Sequence, residues 1–283
     1  MLLRNIFISF KKIFTSKGFY ICAAFSLILF FCADIYTDPA SRSRYSVIRA
    51  IMSFSREEML KDFGLWSVNV MKGARSGWIT LFIPIITAFC FTPMITDQRQ
   101  AKAETFQLFR SSVFRFSLSR FIAGTFSAGL SAALGYGVFC LCAGFIFPFP
   151  EELEQWQAEM IGGFNIFAAI GSVWLYGAFW SIPAMLCGSF LNNKYIIMCL
   201  PFFMKYALSQ GYQLLFQRAW GDYENINYSL ADFINTTSPD ALLYLQESES
   251  RAFTILFFAA AAAVFLTVYL LICRSGKRRG RLI

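Results

Sequence analysis

The chain has 283 residues, 57% of them hydrophobic, 18% aromatic and 15% charged, with a formal net charge of +8. A soluble domain needs far more charge on its surface, so this composition excludes one and points to a polytopic membrane protein. Histidine is absent, which excludes intramembrane chemistry built on Ser-His, Cys-His or H-E-x-x-H arrangements.

In chain order, Leu3, Ile6, Phe7, Phe10, Ile13 and Phe14 recur at helical spacing, with Arg4, Lys11, Lys12 and Lys17 on or near the other face. Residues 1–17 are therefore expected to form an amphipathic helix in the inner interface. A basic region before an apolar run also resembles a secretory signal. Cleavage is not expected, because the run has about full span length and no small-residue site precedes Ala33.

Six apolar segments, 18–36, 77–95, 121–147, 164–190, 195–215 and 252–273, reach the roughly 20 residues that cross a hydrocarbon core of ~30 Å. The expected fold is all-α: a single transmembrane domain of six helices with both termini cytosolic. Pro84, Pro93, Pro183 and Pro201 interrupt these spans, which is tolerated where neighbours satisfy the freed backbone groups. In the third span Ser127, Ser131 and Gly135 lie four apart, and Gly124, Ala128 and Ala132 form a second small-residue row. Such rows permit close helix approach, within the subunit or between two copies.

Charge sets the orientation. With the N-terminus inside, fifteen of the 25 basic residues face the cytosol: four in the N-terminal helix, five in segment 96–120, Lys194 and five in the tail. Only Asp97 and Glu104 join them there, whereas most acids fall after the third and fifth spans. The first outer loop, Thr37 to Ser76, runs against this trend with seven basic residues. A loop of that length crosses with its charges.

The eight cysteines lie in spans or at their edges, so they read as small buried hydrophobes and not as a disulfide framework or zinc site. No phosphate-binding loop occurs, and the largest cytosolic piece is about two dozen residues, far below a nucleotide-binding domain. The acidic run EELEQWQAE reads as a solvated helical face. No catalytic residue, metal ligand or nucleic-acid partner is expected.

Lys205 is the only charge deep in a span, where an ionisable group costs ~2.5–3.5 kcal/mol on insertion scales. It either lines a cavity or pairs with an acid such as Asp34, or it snorkels to the outer interface from a short fifth span. In the outer loop 216–250, Leu230, Phe233 and Ile234, then Ala241, Leu242, Leu243 and Leu245, suggest two short amphipathic helices against the outer rim.

Segment 96–120 combines Arg99, Lys102, Arg110, Arg115 and Arg120 with an apolar stripe, the composition of a short docking helix. It ends in Ser119, Arg120, Phe121, Ile122, Ala123 and Gly124, close to the S-K-F-L-A-G that opens the third span of many bacterial permeases. With the interfacial helix, six spans and outer helical pair, the chain resembles the permease subunit of a type-two ABC transporter.

That resemblance implies a plasma-membrane, multi-pass subunit that binds no cofactor itself, with ATP and Mg held by a separate cytosolic ATPase. A second permease subunit, identical or homologous, and membrane lipid complete its partners. The 96–120 segment would act as the coupling helix: Phe106, Phe109 and Val113 insert into the ATPase, while Lys102, Glu104, Arg110, Arg115 and Arg120 supply its charges. Spans two and five would line the path, with Thr87, Lys205, Tyr206 and Ser209 as candidate contacts. Their aromatic surroundings suit export of an amphipathic or hydrophobic peptide, drug or lipid. The alternatives are a non-transporting scaffold or regulatory subunit and, with no catalytic partner in view, an integral membrane enzyme.

Overall fold

The computed structural model describes residues 2–37, 42–101, 112–150, 155–161, 164–191, 193–220, 228–245 and 250–278. Helix α1 (Leu2–Phe14) ends where the hydroxyls of Thr15 and Ser16 donate to the carbonyls of Lys11 and Ile13, closing the last turn. Helix α2 (Lys17–Phe31) departs at 61° to it. Phe10 meets Phe126 edge-on at 5.4 Å and Ile13 is buried, whereas Leu3 and Phe7 are exposed beside Arg4 and Lys11. The apolar stripe of α1 is thus divided between the protein and its surroundings.

The first span is shorter than its apolar run suggests. Helix α2 stops at Phe31, and Asp34–Thr37 forms strand β1, antiparallel to β2 (Arg44–Ser46). The β-branched and aromatic residues Ile35 and Tyr36 favour the extended pairing. Beyond the hairpin the basic first loop is ordered: α3 (Val47–Ser53), α4 (Arg56–Lys61), a 3-10 turn (Phe63–Leu65) and α5 (Ser67–Gly73). Ser55 and Glu58 form a reciprocal capping box on α4. That bonding to the Ser55 backbone, then its hydroxyl, holds the Glu58 carboxyl below its ordinary range.

Gly77, at φ +72°, turns the chain into α6 (Ile79–Phe89), which α7 (Thr92–Gln100) continues. Helix α8 (Val113–Ile146) has 34 residues, about 51 Å at 1.5 Å per residue. It begins eight residues before the expected third span, so Arg115 and Arg120 sit on its first turns and not on a separate segment. Helix α9 (Gln155–Ile161) precedes α10 (Ile166–Cys187), which Asn165 caps through the N–H groups of Phe167 and Ala168. Helix α11 (Lys194–Trp220) runs past the expected 215, and α12 (Tyr228–Thr237) and α13 (Arg251–Arg278) complete the chain.

Helix α8 is the axis of the molecule, packed by α1, α2 and α10. A Cβ added at Gly135 would lie 2.6 Å from Ser26 Cβ and 2.8 Å from the Ala23 carbonyl, and one at Gly129 would lie 2.4 Å from the Trp174 carbonyl. The small-residue rows therefore pack α8 within the chain, against α2 and α10.

Four segments are long and apolar enough to cross a membrane: Ile79–Gln100, Val113–Ile146, Ile166–Cys187 and Arg251–Ser275, with a fifth if the bent pair α1–α2 is one span. The expected fifth span, now α11, has the length but not the hydropathy, because Lys205, Ser209, Gln210, Gln213 and Arg218 lie along it. The chain is a helical membrane protein with four to five candidate spans.

Candidate functional site

The most deeply buried charges mark the site. Lys205 sits on α11, one turn beyond Pro201, and is 1% exposed. Its Nζ donates to Asp240 Oδ2 at 2.8 Å and to Ser209 Oγ, one turn further along the same face, at 2.9 Å. Neither sequence expectation for Lys205 holds in full: it pairs with an acid, but that acid is Asp240 in the late loop and not Asp34, which lies in the hairpin. The Asp240 side chain is one-third exposed, so the pair is dry at its cation and open at its anion.

A proline explains the neighbouring tyrosine. Pro84 has no N–H, which leaves the carbonyl of Thr80, four residues earlier in α6, without its helical donor. The hydroxyl of Tyr176 on α10 supplies it at 2.7 Å and lies 3.4 Å from Asp240 Oδ1. One side chain thus repairs the break in α6 and touches the ion pair.

The turn that carries Asp240 is inserted into the bundle. Trp180 Nε1 donates to the Pro239 carbonyl at 3.3 Å, Arg75 to the Leu243 carbonyl at 2.6 Å, and the Ser172 hydroxyl lies 3.2 Å from that same carbonyl. Ala241, Leu242, Leu243 and Leu245 are buried in the core with Tyr136, Phe139 and Trp180. Of the two amphipathic helices expected here, the first is α12. The second is a turn fully packed between helices, because four apolar side chains in five residues leave no polar face to expose.

Arg75 escaped the sequence reading. It follows α5 in a loop where a basic residue reads as solvated, yet it is 0% exposed, with Phe164 5.8 Å from its guanidinium. One terminal nitrogen, Nη1, donates to both the Leu243 carbonyl and the Ser172 hydroxyl, the latter at 3.4 Å. Only the position of the late turn reveals the role.

At the opposite, basic end, Lys102, Glu104, Phe106, Phe109 and Arg110 lie outside the described residues. Val113 and Arg115 form the first turn of α8, Val113 half-buried and Arg115 exposed. Arg120 is buried and donates to the Ile95 carbonyl of α7 at 3.3 Å, over the Phe116 ring. Arg99 on α7 donates to the carbonyls of Ser189 and Leu191, just beyond α10. Two arginines thereby fasten both flanks of residues 102–111 to backbone carbonyls.

The four path candidates do not converge. Lys205 and Ser209 belong to the ion-pair cluster. Thr87 is buried, gives its hydroxyl to the Ile83 carbonyl of its own helix and presses its methyl group toward Gly177. Tyr206 is half exposed and stacks on Phe202 at 6.4 Å.

No family model, curated protein or solved structure matches the chain. Among the described residues no group of three His, Cys, Asp or Glu side chains could hold a metal ion. A buried cation, its counter-ion and three side-chain donors on two carbonyls hold residues 239–243 against α10 and α11. Removing the carboxylate leaves the lysine uncompensated in an apolar setting, whereas removing the lysine leaves a carboxylate that reaches solvent.

Proposed function

We propose that this chain is the permease subunit of an ATP-driven transporter in the bacterial plasma membrane, working with a separate cytosolic ATPase and a second permease subunit, identical or homologous. Counting α1–α2 as one span and adding α11 gives six, with both termini cytosolic. Helix α11 qualifies because the charge that lowers its hydropathy is neutralised by Asp240, and because Phe203, Tyr206, Leu214 and Phe216 present apolar surface outward.

One observation carries this reading. Residues 102–111 lie between two helices whose ends are fastened by Arg99 and Arg120 to neighbouring backbone, so a push there moves α7 and α8 together. That is what a coupling segment requires: nucleotide-driven movement of an ATPase is passed to the spans and rocks the two permease subunits. Helices α6 and α11 face each other through Phe82 and Phe202, 5.8 Å apart, and would line the route of an amphipathic or hydrophobic cargo. The Lys205–Asp240 pair would act as a latch at the far end of that route.

The test is co-purification with a Walker-motif ATPase, sought first in the adjacent gene. Phe106→Asp and Phe109→Asp are expected to abolish complex formation while leaving the permease folded. An unchanged complex would sink the coupling assignment.

A further inference from the structure

Helices α8 and α13 run side by side and touch through the Phe121 and Tyr269 rings, 5.4 Å apart. Between them lies an apolar groove of about 370 Å³, walled by Phe121, Ile122, Phe126, Trp174, Ala259 and Ala262. It adjoins a second opening of about 670 Å³, lined by Ser112, Phe114, Ser117, Thr267, Leu270 and Arg274. The two are consecutive stretches of one cleft, since Phe114 and Leu270 of the second lie one helical turn from Leu118 and Leu266 of the first, on the same faces.

The cleft is graded along its length. From Leu118 to Phe126 its walls are almost wholly hydrocarbon, over about 12 Å of helix rise, close to the ~15 Å depth of one leaflet. From Ser117 to Ser112 hydroxyls appear and Arg274 stands at the rim, with exposed Arg115 on the adjoining first turn of α8. Among the described residues no acid lines either opening. The N-terminus of the 34-residue α8 lies at the same mouth, and its dipole favours negative charge.

We propose that this cleft is a binding site for an anionic phospholipid of the leaflet that borders the basic end. One acyl chain lies between α8 and α13 against Trp174, and the headgroup phosphate meets Arg274 and the hydroxyl of Ser112. The gradient decides the occupant. A second protein helix would want an apolar wall along its whole length, whereas a lipid needs hydrocarbon at depth and positive charge at the interface. The site stands whether or not the chain transports anything.

The experiment uses the full-length protein in detergent micelles, titrated with phosphatidylglycerol or phosphatidylcholine carrying brominated acyl chains. The Trp174 signal is isolated as the difference from Trp174→Phe. Phosphatidylglycerol is expected to quench it at lower concentration than phosphatidylcholine. Arg274→Gln is expected to raise the half-quenching concentration of phosphatidylglycerol roughly tenfold and leave that of phosphatidylcholine unmoved. Ala259→Phe, filling the groove, abolishes quenching by both; Ala262→Leu is the milder filler should that variant not fold. Equal quenching by the two lipids with no effect of Arg274→Gln would show ordinary boundary lipid and overturn the proposal. So would absent quenching together with self-association that Ala259→Phe disrupts, which would place a second copy in the cleft.

Discussion

Lys205 and Asp240 stand 35 residues apart in the chain and 2.8 Å apart in space, one on a long helix and the other on a turn wedged beside it. The pair joins α11 to the end of the loop that follows it, and its energetics are asymmetric because only the lysine is fully buried.

Removing the carboxylate is therefore expected to be worse than removing the amine. Asp240→Ala leaves a buried cation with Ser209 alone and should cost about 3 kcal/mol. Lys205→Met leaves a carboxylate that reaches solvent and should cost roughly 1–2 kcal/mol, discounted for that exposure. The double variant should recover most of the larger loss. Thermal unfolding in detergent across the four proteins measures the coupling, and strict additivity would mean that the pair contributes nothing.

Tyr176→Phe removes the donor that serves the carbonyl freed by Pro84. The expected loss is about 1–2 kcal/mol for an orphaned buried carbonyl. Replacing Pro84 by alanine in the same protein should restore the helical donor and cancel much of the penalty. If Tyr176→Phe were equally harmful with and without Pro84, the tyrosine would matter through Asp240 instead.

Arg75 holds the Leu243 carbonyl in the core. With Leu243→Cys as a reporter, a maleimide reagent is expected to react slowly in the parent and several-fold faster after Arg75→Met, as the turn loosens. Arg75→Lys should fall between, since its ammonium keeps a charged donor but lacks the planar guanidinium that lies over Phe164.

Gly135→Ala places a Cβ against backbone at Ala23 as well as against Ser26, so α2 and α8 must separate, at a cost of about 1–3 kcal/mol. Gly171→Ala, where nothing lies within 4 Å, should be neutral or slightly stabilising because alanine is the better helix former. The contrast between them in one unfolding assay tests the close approach of α8 to α2.

Glu58 titrates outside the spans, and its carboxyl is held below the ordinary 4.5 by the Ser55 backbone N–H. A group with a depressed folded value stabilises above its unfolded pKa and loses that contribution as pH falls through the folded one. Amide exchange across Arg56–Lys61 should thus be constant near neutrality and gain protection-loss below the ordinary carboxylate range. Glu58→Gln should flatten that acid-side change.

Much of the molecule is legible from local pattern. Apolar runs at helical spacing placed α1, α6–α7, α8, α10 and α13, because hydropathy and period are properties of contiguous residues. The same logic fails at span edges: α2 yields to a strand at Asp34, and α8 starts at Val113, where the Ser112 cap and not apolar length sets the end. The site was half visible. A lone lysine in a span left pairing and snorkelling both open, and nothing local distinguished Asp240 from Asp34.

By itself, then, the sequence determined a helical membrane chain, the basic segment flanked by its second and third spans, and a lone lysine within an apolar run. Only the tertiary structure decided which acid answers it, that Arg75 is a core residue, that the first loop folds into a hairpin and short helices, and that the small-residue rows are consumed within the chain. Each of those depends on contacts between residues remote in sequence, and burial, unlike helical period, is settled by what the rest of the chain brings alongside.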